Sequence, residues 1–204
     1  MIPGLASHAK GGATRKCTII VAALALAAAG TAAAAPAQSA RADNPTTLYD
    51  LVDAAAQRLQ TADPVAAYKW ATGTDDIEDP PRVQQVLAAV TADATANHID
   101  AGYVRQVFDD QINATESIEY ARFAQWKVDP QSAPTAPPEL SASRAAIDAL
   151  NGRMVTEITS RWDLLHSPDC AADVANAKDA VTSARQLDAG YQRALGFATR
   201  SYCG

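Results

Sequence analysis

The sequence is poor in the residues that metal-dependent and nucleotide-dependent chemistry uses. Only two of its histidines, His98 and His166, lie beyond the first 34 residues, and neither has metal-ligand spacing to the other or to an acidic pair. The chain has no glycine-rich phosphate loop, no GxSxG motif and no CxxC pair. These absences argue against metal-dependent, nucleotide-dependent and covalent catalysis, so we expect no metal and no cofactor.

Basic residues are also scarce. The whole chain has 17 Lys and Arg against 23 Asp and Glu, a net charge of −6. Residues 1–34 hold three basic residues and no acidic ones, so residues 35–204 have 14 against 23, a net charge of −9. This balance argues against nucleic acid and anionic membrane surfaces as partners. An acidic protein that binds an anion must concentrate its cations locally.

The first 34 residues have the order of a secretory signal peptide. A basic stretch precedes the apolar run TIIVAALALAAAG, and small residues follow it. We expect cleavage after Ala34, with Ala35 or a position near Ala40 as alternatives, and an uncleaved N-terminal anchor as a different interpretation. The apolar run is shorter than the roughly 20 residues of a spanning helix. We therefore predict a secreted or periplasmic protein, with 1–34 as signal peptide, 35–204 as one domain and no membrane anchor after processing.

Two cysteines, Cys170 and Cys203, remain in the processed chain. An even count in an oxidising compartment predicts a disulfide between them. A free reactive thiol is the alternative, but no Cys/His arrangement supports it.

Residues 46–204 are typical of an all-α protein, because alanine is abundant and no run alternates with period two. We predict helices over about 46–61, from the cap Asp63 to about Ala71, from the cap Asp79, and from Asp100 to about Lys127. Further helices are predicted from Ser141 or Ser143, from Ser167 and over about 187–202. The proline-rich segment 129–139 is too short to link two domains. The expected fold is a single-domain bundle of about six to seven helices with one disulfide.

Charged residues interrupt the apolar faces of these helices. The clearest case is a stripe with spacings of three and four, which places six residues on one helical face: Phe108, Ile112, Thr115, Glu119, Phe123 and Trp126. The cations on such faces are Arg58, Lys69, Arg82 and Arg144. A buried unpaired charge costs several kcal/mol, so four cations near one carboxylate indicate a site for a small, multiply charged anion. Any one of these cations could instead cover apolar surface and keep its charged end in water.

Two local patterns leave alternatives open. Asp79 and Arg82 have the spacing of a helix-start ion pair, but Asp79 could also hold Arg82 towards a ligand. Thr115 and Glu119 lie one turn apart, suited to neighbouring polar atoms of one ligand. Glu119 could instead form a salt bridge with Arg122 or Lys69.

Four segments resemble the exported, gamma-type subclass of all-helical chorismate mutases: RLQTADPVAAYKW, DPPRVQQ, FDDQINATESIEYARFAQWK and LSASRAAID. The resemblance extends over nearly all of the processed chain and includes both cysteines. It implies a chorismate mutase type II-like fold and the rearrangement of chorismate to prephenate. It also implies a homodimer whose active sites are not shared between subunits. The family has Gln four residues after the Arg82 equivalent, whereas this chain has Val86, with Gln84 and Gln85 beside it.

The resemblance implies seven substrate-binding residues. Five of them would be catalytic, and these are Arg58, Lys69, Arg82, Glu119 and Arg144; the other two are Asp79 and Thr115. Arg58 and Arg144 would bind carboxylates, and Thr115 would bond to one of them. Lys69 and a protonated Glu119 would address the ether oxygen, with Asp79 and Arg82 near the ring hydroxyl. A non-catalytic secreted helical protein that binds a small dianion is the alternative function.

Overall fold

The computed structural model describes residues 47–73, 76–137 and 139–204, and the regular structure in these ranges is helical. The eight α-helices are α1 Tyr49–Gln60, α2 Ala62–Thr72, α3 Pro80–Ala96, α4 Ala101–Val128, α5 Leu140–Ser160, α6 Trp162–Leu165, α7 Cys170–Arg185 and α8 Ala189–Ala198. A short 3-10 helix, Pro130–Ser132, follows α4. The all-α class is confirmed, with seven longer helices and the four-residue α6. The predicted signal peptide lies outside the described residues.

Two of the predicted helix caps are confirmed. The carboxylate of Asp79 accepts a hydrogen bond from the backbone N–H of Arg82 at 3.1 Å, and that of Asp100 accepts one from Tyr103 at 2.5 Å. Each satisfies a first-turn donor that has no partner within the helix. The two caps fix where α3 and α4 begin.

The other predicted caps are wrong. Because Thr61 keeps helical dihedrals, α2 begins directly after α1 at Ala62, and Asp63 lies inside its first turn. Helix α5 begins at Leu140, ahead of both candidate serines, and Ser143 is buried. Helix α7 begins at Cys170, after the serine at 167 rather than at it. Each observed start lies within a few residues of the predicted one, close to the usual scatter of helix ends.

Helices α1 and α4 form the centre of the bundle. Helix α1 packs against α4, α5, α7 and α8, and α4 packs in addition against α2 and α3. On α1, Leu51, Val52 and Leu59 are fully buried, and the run of alanines 54–56 is buried with them. Small side chains at these positions let the neighbouring helices approach closely. No described helix has the length and hydropathy needed to cross a membrane.

The predicted disulfide is confirmed. The sulfur atoms of Cys170 and Cys203 are 2.08 Å apart, which joins the start of α7 to the C-terminal segment. Next to it Tyr202 is fully buried, and its carbonyl accepts a hydrogen bond from the hydroxyl of Tyr103 at 2.6 Å. The C-terminal segment is thereby fixed against α4.

Candidate active site

A pocket of about 610 Å³, including its open mouth, lies between α1, α2, α3, α4 and α5. The pocket brings together all seven residues predicted from the sequence: Arg58, Lys69, Asp79, Arg82, Thr115, Glu119 and Arg144. Aliphatic side chains complete most of the lining, among them Val86, Ile112 and Ile147. Five helices therefore contribute polar groups to one apolar pocket.

Arg58 forms part of the floor and is only 4% exposed. Its Nε donates to Oδ1 of Asn151 at 2.7 Å, and its Nη1 donates to Oγ1 of Thr115 at 3.2 Å. Burial, together with the nearby charge of Arg82, lowers the pKa of Arg58 to about 10, which keeps it charged at neutral pH. Two neutral partners hold the guanidinium in place without neutralising it, so its charge remains available to an anion.

Lys69 and Glu119 form a buried ion pair. The Nζ of Lys69 donates to Oε2 of Glu119 at 2.9 Å and to the backbone carbonyl of Ile77 at 2.6 Å. Of the two alternatives raised by the sequence, Glu119 thus pairs with Lys69, and Arg122 binds Asp63 instead. Burial raises the pKa of Glu119 to about 7, although the Lys69 ammonium acts against the shift. Glu119 is therefore poised to carry a proton near neutral pH.

Asp79, Arg82 and Arg144 lie at the more open side of the pocket. Asp79 caps α3 with one oxygen, while its other oxygen accepts from Nη2 of Arg144 at 2.9 Å. The guanidinium of Arg82 does not pair with Asp79; its Nη1 donates to Gln85 at 2.9 Å and its Nη2 to Asp148. Asp79 therefore links the starts of α3 and α5, and it holds Arg144 rather than the side chain of Arg82.

Val86 is 4% exposed and lies in the pocket lining. Gln85 is turned towards Arg82, and Gln84 is exposed outside the lining. No glutamine side chain of α3 therefore lines the pocket. The apolar Val86 is the group that a ligand would meet there.

Three polar residues at this site were missed by reasoning from the sequence. Asn151 lies seven residues after Arg144 on the same face of α5, so helical periodicity could have identified it. Asp148 lies four residues after Arg144, and the same spacing rule applies to it. Glu116 also lines the pocket. It lies four residues after Ile112 and three before Glu119, so the spacing of the α4 stripe could have identified it as well.

The charges of the lining fit a dianion. Four cationic side chains and three carboxyl groups face the pocket. When Glu119 is protonated, the two remaining carboxylates leave two positive charges in excess. The described residues contain no group of three or more side chains that could hold a metal ion. The arrangement can bind and orient a small dianion and can present a proton-bearing carboxyl and an ammonium to one of its uncharged atoms.

The chain is similar in sequence and in structure to proteins of one known family. The family model for chorismate mutase type II matches residues 49–120. A secreted chorismate mutase of Mycobacterium tuberculosis is 57% identical over 164 residues, covering 80% of this chain and 82% of that protein. One from Mycolicibacterium smegmatis is 58% identical over 164 residues, covering 80% and 90%. The crystal structure of a chorismate mutase from Burkholderia thailandensis matches with a TM-score of 0.72 and 34% identity, covering 78% of this chain and 99% of that one. The chain belongs to the chorismate mutase type II family.

Proposed function

We propose that this protein is a secreted chorismate mutase, which rearranges chorismate to prephenate in the pocket between α1 and α5. One observation carries the proposal: four cationic side chains from four helices line a pocket whose floor holds the buried Lys69–Glu119 pair. Membership of the chorismate mutase type II family supports it.

The pocket contains the kinds of group that this reaction needs. In the Claisen rearrangement one carbon–oxygen bond of the enolpyruvyl ether breaks while a carbon–carbon bond forms in the same molecule, and no electron or proton leaves it. Catalysis therefore consists of holding the substrate in its compact conformer and stabilising the negative charge that grows on the ether oxygen. Neither task requires a nucleophile, a metal or a cofactor.

Arg58 and Arg144 bind the two carboxylates of chorismate. A planar guanidinium can donate to both oxygens of a carboxylate at once, which fixes orientation as well as position. Arg58 is held in the floor by Asn151 and Thr115, and Arg144 is held at the open side by Asp79. Two carboxylates fixed at opposite ends of the pocket would restrict the substrate to its folded conformer. The hydroxyl of Thr115 donates to the backbone carbonyl of Gln111 at 2.8 Å, and on rotation it can donate instead to the carboxylate bound by Arg58.

Lys69 and Glu119 act on the ether oxygen. The ammonium of Lys69 donates towards it, and the protonated carboxyl of Glu119 donates from the other side. Burial favours this protonated form because it raises the pKa of Glu119, and a bound dianion raises it further. As the carbon–oxygen bond breaks, both hydrogen bonds strengthen, which lowers the energy of the transition state more than that of the ground state.

Arg82 and Asp79 define the side of the pocket that receives the ring hydroxyl. Arg82 can donate to the hydroxyl oxygen while Gln85 and Asp148 hold its guanidinium. Asp79 accepts from both the first turn of α3 and Arg144, and so fixes their relative positions. The hydroxyl end of the substrate thus lies at the starts of α3 and α5.

The processed protein comprises residues 35–204, after removal of 1–34 as a signal peptide, and acts outside the cytoplasm as a homodimer. The relatives are named secreted chorismate mutases, which supports export. We infer that each subunit carries its own site, because the seven residues assigned to the substrate meet in one pocket of a single chain. Mass spectrometry of the exported protein and light scattering of the purified form test these points. An intact N-terminus, or a monomer at micromolar concentration, would contradict them.

The alternative is a secreted binding protein that takes up a small dianion without transforming it. Purified protein is mixed with chorismate, and the product is identified by nuclear magnetic resonance. We expect prephenate to form much faster than in the same buffer without protein. Calorimetric binding of chorismate with no acceleration would instead support the binding protein.

A further inference from the structure

The carboxyl groups that line the pocket differ in what they bind. Asp79 accepts hydrogen bonds on both oxygens, one from the backbone of Arg82 and one from Arg144. Glu119 accepts from Lys69. Glu116 is the third lining carboxyl, and no donor among residues 47–73, 76–137 and 139–204 lies within hydrogen-bonding distance of it. Its acceptor capacity is therefore free for a ligand.

The surroundings of Glu116 partly desolvate its carboxyl group. It is half-buried on α4, directly after Thr115 and one turn before Tyr120. Partial burial and the nearby carboxylate of Glu78 raise its pKa, and the charges of Lys69 and Arg58 only partly oppose this. A half-buried carboxylate without a protein donor can be hydrated in the open pocket, but a ligand that displaces this water must supply a donor in its place.

The proposed function restricts what that ligand group can be. Both carboxylates of chorismate would be repelled by Glu116, and the ether oxygen has no hydrogen to donate. The ring hydroxyl is the one neutral group of this substrate that can donate a hydrogen bond. The α3 residues of the lining cannot accept it, because Arg82 only donates and Val83 and Val86 have no polar side-chain atoms.

We propose that Glu116 is a further substrate-binding residue, whose carboxylate accepts a hydrogen bond from the ring hydroxyl of chorismate. This inference rests on the proposed function, since it assigns one more group of the same substrate. Arg82 then donates to the hydroxyl oxygen while Glu116 accepts its hydrogen. The pair makes the site selective for substrates that carry this hydroxyl, because an analogue without it leaves Glu116 unpaired.

The test compares two substrates and three variants. The substrates are chorismate and an analogue in which hydrogen replaces the ring hydroxyl. Glu116→Ala removes the acceptor, and Glu116→Gln keeps a neutral acceptor oxygen of the same shape. Glu78→Gln is the matched control, because it removes a nearby carboxylate that is exposed, bonded to Tyr120 and outside the pocket lining. The steady-state kcat and KM are measured for each combination.

We expect Glu116→Ala to lower kcat/KM for chorismate by about tenfold to a hundredfold, the usual effect of losing a hydrogen bond to a charged group. The same variant should leave kcat/KM for the analogue unchanged or raise it. Glu116→Gln should lose less with chorismate, and Glu78→Gln should behave like the unmodified protein with both substrates.

Two outcomes would overturn the proposal while leaving the proposed function intact. An equal loss with both substrates would mean that Glu116 acts on the neighbouring cations and not on the hydroxyl. Full activity of Glu116→Ala with chorismate would remove it from the site. Failure of the unmodified, folded protein to accelerate chorismate rearrangement would instead contradict the proposed function. The proposed contact between Glu116 and chorismate would then be contradicted as well.

Discussion

The Nζ of Lys69 and Oε2 of Glu119 are 2.9 Å apart, and both residues are less than a tenth exposed. A buried pair of this kind usually holds the carboxyl ionised. Here burial outweighs the attraction, and the pKa of Glu119 is raised to about 7. The pair therefore combines a fixed ammonium with a carboxyl that can carry a proton at neutral pH. This combination suits an ether oxygen that gains negative charge.

The pH dependence of the rate should follow Glu119. A raised pKa favours the protonated form, so kcat/KM, which reports the ligand-free enzyme, should be highest below about pH 7 and fall as the pH rises through that value. Glu119→Gln keeps a donor that does not titrate. We expect this variant to retain activity and to lack the alkaline fall. Measurement of kcat/KM from pH 5 to 9 for both proteins tests this, and complete inactivation of Glu119→Gln would show that the carboxylate is the active form.

Arg144→Lys should lose about a hundredfold in kcat/KM although the charge is kept, because an ammonium cannot bind both oxygens of a carboxylate in one plane. Arg153→Lys is the matched control, since Arg153 lies on the same helix, is also partly exposed and pairs with Asp50 outside the pocket. Steady-state kinetics of both variants give the comparison. Near-normal kcat/KM in Arg144→Lys would remove Arg144 from the site.

Asn151 is expected to position Arg58. Its Oδ1 is the acceptor of Nε of Arg58 at 2.7 Å, and Asn151 is 5% exposed. Asn151→Ala should raise KM by about tenfold, with a smaller change in kcat, since Arg58 keeps its charge but loses one of its two anchors. The exposed Asn113 is the control, because its amide bonds only to the backbone of α4. A KM for Asn151→Ala equal to that of Asn113→Ala would contradict the assignment.

The disulfide should contribute to stability and not to the chemistry. Cys170 and Cys203 are separated by 33 residues, and a loop of this length corresponds to about 3–4 kcal/mol on the loop-entropy model. The double variant Cys170→Ser with Cys203→Ser should therefore unfold at markedly lower urea concentration. Its kcat at 25 °C should stay close to that of the unmodified protein where both are folded. An unchanged urea midpoint would contradict this estimate.

The all-helical fold could be predicted from the sequence because it leaves a periodic signal, and the charges on apolar helical faces could be found in the same way. The complete set of seven pocket residues came from the resemblance to the chorismate mutase family. Arg58, Lys69 and Glu119 interrupt apolar faces, and such interruptions are visible from spacing alone. The partners of those residues were harder to predict. Asp63 has the composition of a helix cap yet pairs with Arg122 on α4, and that contact joins residues 59 positions apart. Long-range pairing of this kind depends on packing, which local sequence does not encode.

Val86 and Glu116 also show how far the sequence alone could predict the site. The absence of a glutamine at 86 could be read from the sequence, whereas the role proposed for Glu116 could not. Its helical spacing from Ile112 and Glu119 is visible in the sequence, but only the structure shows that Glu116 is a lining carboxyl without a hydrogen-bond donor among the described residues.

The most direct measurement is the rate of chorismate loss, followed by ultraviolet absorbance, with the purified protein and its Arg58→Ala variant side by side. We predict that the unmodified protein accelerates the loss by several orders of magnitude and that Arg58→Ala loses at least a hundredfold of kcat/KM. Circular dichroism establishes that both proteins are folded. No acceleration by the folded unmodified protein, or equal activity of the two proteins, would contradict a chorismate mutase site in this pocket.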